Sequence, residues 1–277
     1  MVCFYDGRVE GVDVEYKCFD AGKPTDPSYK EAWFGVKETL YLPQNPMMNL
    51  PWVKAESSSS SEMIVQTNAC LAFLGRELGL QGANAVEQNR ADQILAQTMD
   101  WRNASMRYFY GRSTPEEIDH YYTTGIRSHY TKINAFMNMN QTAYSAANNI
   151  TIGDFHLFEM IDQHERFYTF IKKDSFLEDF KCLHAMYQNM LKEKRLQGYF
   201  DSEYYKFPMN NPHAFFLHWF YFDVLWYVVV WCWIRSTRHH AMPREMFANG
   251  NVLCIACKHV KEVLVGVSVS ARVSERE

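Results

Sequence analysis

The chain has 277 residues, enough for one large domain or two ordinary ones with a real core. Its net charge is −4, with 28 Lys and Arg against 32 Asp and Glu, which gives no electrostatic reason to expect nucleic acid as a partner. Aromatic residues reach 16% of the chain, a level that points to large amphipathic side chains lining interfaces or a pocket.

Residues 12–19 (VDVEYKCF) alternate apolar and polar, the pattern of a strand, and Asp20 to Pro27 reads as a loop with Gly, Lys and two prolines. Trp33 to Tyr41 is short and mixed. Two strands follow, Trp52–Lys54 and Met63–Val65, joined through a run of five serines. This predicts a hairpin with an oversized turn, since hairpin loops usually take about two to five residues. From Thr67 the pattern becomes helical, with Thr67 as the expected capping residue and Cys70, Phe73, Leu74 and Leu78 on one face.

Gly79 to Ala85 carries two glycines and marks a domain boundary. Beyond it Val86–Gly111 reads as a long helix with Ala91, Ile94, Leu95 and Thr98 facing inward. Ser113-Thr-Pro-Glu-Glu is a helix start, with Thr114 at the cap, Pro115 in the first turn and acids toward the positive end of the dipole. That helix is expected to run to about Met139. In Asn149-Ile-Thr-Ile-Gly-Asp-Phe, Thr151 and Asp154 form a capping box, and Ile150 can pack on Phe155 as a staple. Helices at about 155–168, 176–192 and 194–200 complete a small mixed β/α module followed by an all-helical one.

Ala214 to Ile234 is nearly continuous apolar sequence followed by Arg235, Arg238, His239 and His240. Its length suits a membrane span, whereas His218, Asp223 and the aromatic composition suit a buried helix or strand pair. A third reading is that the segment is not a selected sequence. The seven cysteines are odd in number and mostly isolated, and Met1-Val-Cys-Phe-Tyr-Asp-Gly turns polar too early for a secretory signal. Free thiols in a reducing cytoplasm are the expected setting. Cys254-x-x-Cys257 with His259 is one ligand pair without a second, so no metal is expected.

Trp33-Phe-Gly-Val-Lys37, Asn49-Leu-Pro51, Gln66-Thr67-Asn-Ala, Met99-Asp100, Tyr110 and Ile150-Thr-Ile-Gly-Asp-Phe155 occur in this order at sensible spacing. Taken together they resemble a cytosolic glutathione S-transferase of the mu-like and sigma-like classes, from about Val12 to Phe216. The resemblance implies an α/β thioredoxin-like domain over 1–82, an all-α domain over 86–210, and an atypical tail over 214–277. It implies a homodimer that conjugates reduced glutathione, its co-substrate, to electrophilic small molecules, with no other cofactor.

The resemblance also assigns roles. A cis bond before Pro51 would turn the strand entrance so that the backbone of Leu50 pairs with the cysteinyl part of glutathione, with Asn49 on the same side. Gln66 and Thr67, at a helix N-terminus, would hold the γ-glutamyl carboxylate. Trp33 and Lys37 would take the glycyl carboxylate, and Asp100 would reach the γ-glutamyl amine of the neighbouring subunit. Tyr110 would face the electrophile. Each has a structural reading too: Trp33 as core filling, Lys37 and Asp100 as solvated charges, Thr67 as a cap, Tyr110 as one of two crowded tyrosines with Tyr108.

One element of the resemblance is not met. The mu-like classes stabilise the glutathione thiolate with a tyrosine at the end of the first strand. Counted back from Trp33, that strand and most of the first helix would precede Met1, and Tyr5 falls in the remnant of the first helix. The catalytic tyrosine is therefore unassigned. The alternative is a protein of transferase fold that binds glutathione or apolar ligands without turnover, or serves structurally.

Overall fold

The structure is a computed structural model that describes residues 12–20, 27–29, 31–56, 61–202, 205, 210, 214 and 263–271. The first strand, β1, is Val12–Asp20. Helix α1, Glu31–Val36, continues as a π-helical turn through Lys37–Tyr41. Strands β2, Trp52–Glu56, and β3, Ser61–Val65, pair antiparallel with Trp52 opposite Val65 and Glu56 opposite Ser61. The strands run further into the serine tract than expected, because Lys54 to Glu56 and Ser61 to Met63 keep the ladder going. Only residues 57–60 connect them, an ordinary hairpin length.

Alternation along the hairpin sorts its side chains to two sides. Trp52, Met63 and Val65 join Trp33, Tyr41 and Met48 in a small aromatic cluster, whereas Val53 is buried in the main core with Ile64 packed against it. Helix α2, Thr67–Glu77, covers the latter side with Cys70, Leu71 and Leu74 buried, and Leu78 just beyond its end is buried as well. Phe73 is only partly buried. The N-cap of α2 is Gln66, not Thr67, since β3 delivers the chain straight into the helix and Gln66 makes the turn with φ of 75°.

The helical part follows the sequence pattern closely. Helix α3, Ala85–Tyr110, is capped by Asn84 and buries Ala91, Ile94, Leu95 and Thr98, the four expected positions. Helix α4, Pro115–His120, has the expected start: the Thr114 hydroxyl accepts from the Glu117 N–H at 3.2 Å, and the Glu117 carboxylate accepts from the Thr114 N–H at 2.9 Å. The helix does not continue uniformly to Met139. A π-helical turn, Tyr121–Ile126, precedes α5, Arg127–Asn140. Helix α6, Ile152–Phe170, is buried on every side from Ile152 to His164. The segment expected at 176–192 opens as a 3₁₀ turn, Leu177–Asp179, before α7, Lys181–Lys192. Helix α8, Gln197–Phe200, follows a second 3₁₀ turn.

The last strand, β4, is Val263–Ala271, within the segment expected to form a tail outside both modules. It lies inside the first sheet, whose order is β1-β4-β2-β3. The apolar segment 214–234, apart from a buried Ala214, lies outside the described residues, as do Tyr5, Cys254, Cys257 and His259. Among the described residues no helix is long and apolar enough to cross a membrane.

The two modules meet where α2 ends. Leu80 donates its N–H to the Gly75 carbonyl at 2.7 Å, and the Ile152 N–H donates to the Leu80 carbonyl at 2.7 Å. A Cβ on Gly75 would sit 2.9 Å from Ile152 Cγ2 and 2.6 Å from Gln81 Oε1. The Gln81 amide is itself held to Asp92 at 2.6 Å. Deeper in the helical core, Tyr121 on the π-helical turn reaches Ser105 at 2.6 Å and His164 Nε2 at 2.9 Å. His164 Nδ1 is 2.7 Å from the Met160 carbonyl, which can only accept, so Nδ1 carries the proton and Nε2 accepts from the tyrosine. Burial pushes the His164 imidazole down to about 3.

Two outcomes are expected. Gly75→Ala forces Ile152 and Gln81 apart and lowers unfolding free energy by about 1–3 kcal/mol in urea titrations. The unfolded state of His164 binds a proton near pH 6.5 while the folded state resists it down to about 3, so its contribution is lost as pH falls through that window. The stability difference between wild type and His164→Gln, measured by denaturant melts, should therefore shrink steadily from pH 7 to pH 4.

Candidate functional site

The ladder of β2 and β3 ends at Trp52 and Val65. Pro51 and Gln66, the next residue on each strand, therefore leave the sheet side by side. The Leu50–Pro51 bond is cis. Leu50, half-buried, packs against the small aromatic cluster, while Asn49 and Gln66 are exposed and Thr67 is half-buried. The Gln66 side chain does not cap α2, so the first-turn N–H groups of that helix have no side-chain acceptor from the cap position.

Cys70 ties these pieces together from below. Its thiol points at the Ile64 carbonyl at 3.4 Å and the Pro51 carbonyl at 3.8 Å. Burial pushes the thiol up to about 12, so it stays protonated and works as a weak donor, not as a nucleophile. On the approach to Leu50, the Asn45 amide donates to the Met63 carbonyl at 2.9 Å, and its oxygen accepts the Met47 N–H at 2.9 Å. These bonds fasten the connection from α1 to the outer strand of the sheet.

Trp33 is 2% exposed and stacks, tilted, on Tyr41 at 5.5 Å, and Tyr41 stacks on Trp52 at 5.5 Å. The Lys37 ammonium stands 5.9 Å above the Trp33 ring and 6.0 Å from that of Phe34. A cation and an indole are thus held together, with the indole in the cluster that Leu50 packs against. Trp33 and Leu50 share one aromatic cluster with Trp52 and Val65, Pro51, Gln66 and Thr67 follow the end of the hairpin ladder, and Lys37 joins this group through the Trp33 ring.

Asp100 and Tyr110 lie elsewhere, on α3. Asp100 is exposed, and within the protomer its charge partly offsets the downward shift that burial and Lys132 impose on His129. Tyr110 ends α3 half-buried, with its hydroxyl donating to Asn210 Oδ1 at 3.3 Å. The same oxygen accepts from Gln163 Nε2 at 3.0 Å, so the tyrosine is held between α6 and the segment that follows α8.

Three features escaped the sequence reading: the Tyr41 and Trp52 rings beneath Trp33, the thiol of Cys70, and the Asn210–Gln163 pair on Tyr110. The alternation of Trp52 with Lys54 against Met63 with Val65 carried a signal for the first. The Cys70 thiol meets carbonyls across the strand-to-helix turn, and the Asn210–Gln163 pair joins positions far apart in the chain, so no local pattern announces either.

Residues 99–203 match the family model described as Glutathione S-transferase, C-terminal domain. The chain is 26% identical over 201 residues to Glutathione S-transferase Mu 3 of Homo sapiens, covering 72% of this chain and 80% of that protein. It is 30% identical over 160 residues to Glutathione S-transferase Mu 2 of Rattus norvegicus, covering 56% and 65% respectively. It is also similar in fold to the crystal structure of glutathione S-transferase Blo t 8, with a TM-score of 0.57 at 21% identity over 69% of this chain and 84% of the other.

The aromatic stack and the ammonium above it should separate in mutants. Trp33→Ala removes a buried ring and is expected to cost about 3–5 kcal/mol in urea unfolding. Lys37→Ala loses only a partly solvated cation–π contact and should cost less than about 1 kcal/mol.

Proposed function

We propose that the chain is a glutathione S-transferase, in keeping with the family model it matches and the relatives it resembles, that binds reduced glutathione across the end of the β2–β3 hairpin and conjugates it to electrophilic small molecules. What supports this reading is that three different recognition elements adjoin one another through the small aromatic cluster and the end of the hairpin ladder. Leu50 offers strand-like main-chain pairing, the start of α2 offers N–H groups and the positive end of a dipole, and Lys37 with Trp33 offers a cation and an indole. A tripeptide with a carboxylate at each end and an extended backbone between them fits that arrangement.

Leu50 pairs with the cysteinyl backbone and Asn49 lines the same side. Pro51 and Gln66 set the edge of the site, Thr67 takes the γ-glutamyl carboxylate, and Trp33 with Lys37 takes the glycyl one. In conjugation the glutathione sulfur, as thiolate, attacks an electrophilic carbon, the leaving group departs with the bonding pair, and the thiol proton passes to solvent. An ordinary thiol titrates near 8.5, so the step needs a donor that favours the thiolate. We assign Tyr110, whose hydroxyl is held by Asn210, to the electrophile side, and the group that activates the sulfur is unassigned. The exposed Asp100 is kept for the γ-glutamyl amine of a second subunit, which makes the working unit a homodimer, acting in the cytoplasm in a detoxification role.

The test is a glutathione titration with conjugation of a chloronitroaromatic followed in the same sample. Saturable binding with turnover is expected, and Lys37→Ala should weaken glutathione binding about tenfold or more while leaving the KM for the electrophile nearly unchanged. Binding without turnover would contradict the conjugating role and leave a transferase fold that only binds. Absence of saturable binding would overturn the reading altogether.

A further inference from the structure

Strand β4, the last among the described residues, lies between β1 and β2 in the sheet. It pairs antiparallel with β1 along its whole length, from Val263 opposite Asp20 to Ala271 opposite Val12. Its other edge pairs parallel with β2, from Val267 opposite Val53 to Ser270 opposite Glu56. Among the described residues β1 and β2 share no ladder of their own, so β4 supplies the hydrogen-bonded continuity between them. The sequence of β4, VLVGVSVSA, is β-branched at most of its apolar positions and contains no charge and no proline, which suits a strand with neighbours on both edges.

We propose that the facing edges of β1 and β2 form a slot for one extended strand, and that residues 263–271 of the same chain fill it. Emptied, the slot would present two rows of unpaired N–H and C=O groups, a condition that buried backbone does not tolerate. Main-chain pairing of this kind is the usual basis of strand addition to a sheet edge. Residues 215–262 separate the buried Ala214 from β4. At roughly 3.3 Å per residue those residues can reach the sheet from anywhere on a domain of this size. The same chain is therefore a sufficient source of the strand.

The consequence for the site rests on the glutathione reading. The ladder to β2 starts with Val267 opposite Val53, so Gly266 is level with Trp52 and Val263–Val265 run past the beginning of β2, toward the end of the hairpin where Leu50 and Pro51 lie. The C-terminal strand thereby fixes β1 and the hairpin in one sheet, and its seating decides whether the candidate site keeps its shape.

Hydrogen–deuterium exchange on the full chain tests the slot without reference to glutathione. In wild type, amides of 264–270 and 13–19 should be protected like those of Trp52 to Lys54. Val267→Pro removes an N–H from a strand paired on both sides and should release protection in β1 and β4 while α6 keeps its own; Val267→Thr should retain both. Free exchange of 264–270 in wild type, or unchanged β1 protection in V267P, would overturn the proposal. Protection of β1 that vanishes on dilution would overturn the same-chain assignment in favour of a strand from a second copy. Glutathione affinity of V267P should fall about tenfold or more. A wild-type chain that never binds glutathione would remove the functional consequence together with the earlier reading, while the exchange result would still judge the slot.

Discussion

A helix buried on all sides must satisfy every polar group it carries from within the protein, and α6 is such a helix from Ile152 to His164. Asp154 accepts from the N–H groups of Ser145 and Thr151, both at 2.7 Å, and from the Thr151 hydroxyl at 2.8 Å. One oxygen of Asp162 accepts from Tyr187 at 2.8 Å and Tyr205 at 3.0 Å, and the other pairs with Arg166 at 3.0 Å. Gln163 holds Asn210, and His164 holds Tyr121. Apart from the Asp162–Arg166 pair within α6, each of these bonds draws another part of the chain against it: the loop before it, the π-helical turn after α4, α7 and the segment beyond α8. The packing follows the same centre. A Cβ on Gly153 would meet Ile94 at 3.0 Å, so this glycine lets α3 close on α6, and Ile152 receives the end of α2.

The candidate site depends on that centre at one remove. The hairpin is held between the aromatic cluster of Trp33, Tyr41 and Trp52 on one side and α2 on the other, and α2 rests on α6 through Gly75 and Leu80. Asn68, in the first turn of α2, donates to the Leu95 carbonyl of α3 at 3.2 Å. The helical core thus sets the position of the helix start that the γ-glutamyl carboxylate is proposed to use. In the proposed complex, recognition would rest mostly on backbone and helix geometry, with Lys37 as the charged contribution, so such a site would need few distinctive side chains.

Features written within a few residues were legible in the sequence. Thr114, Pro115 and Glu117 form a complete start signal, Thr151 and Asp154 form their pair as spaced, and the inward face of α3 follows the helical period. The hairpin and its proline were legible for the same reason. Thr67 misled because hydroxyl residues are ordinary caps, while the real cap, Gln66, takes its place by a positive φ that follows from the strand running straight into the helix. The π-helical turn at Tyr121–Ile126 left no mark in an apolar pattern that continues through it. Strand β4 was hidden because its partners lie more than 200 residues earlier, as with Val267 opposite Tyr16 and Val53. Pairing at that separation is set by the sheet, not by the local sequence.

The central claim is that glutathione lies along the end of the β2–β3 hairpin. The most direct measurement is a backbone amide chemical-shift map recorded during a glutathione titration. The account predicts saturable shifts at Lys37, Leu50, Trp52, Thr67 and Asn68, with α5 and α7 unmoved. Shifts confined to the helices, or none at saturating glutathione, would contradict it.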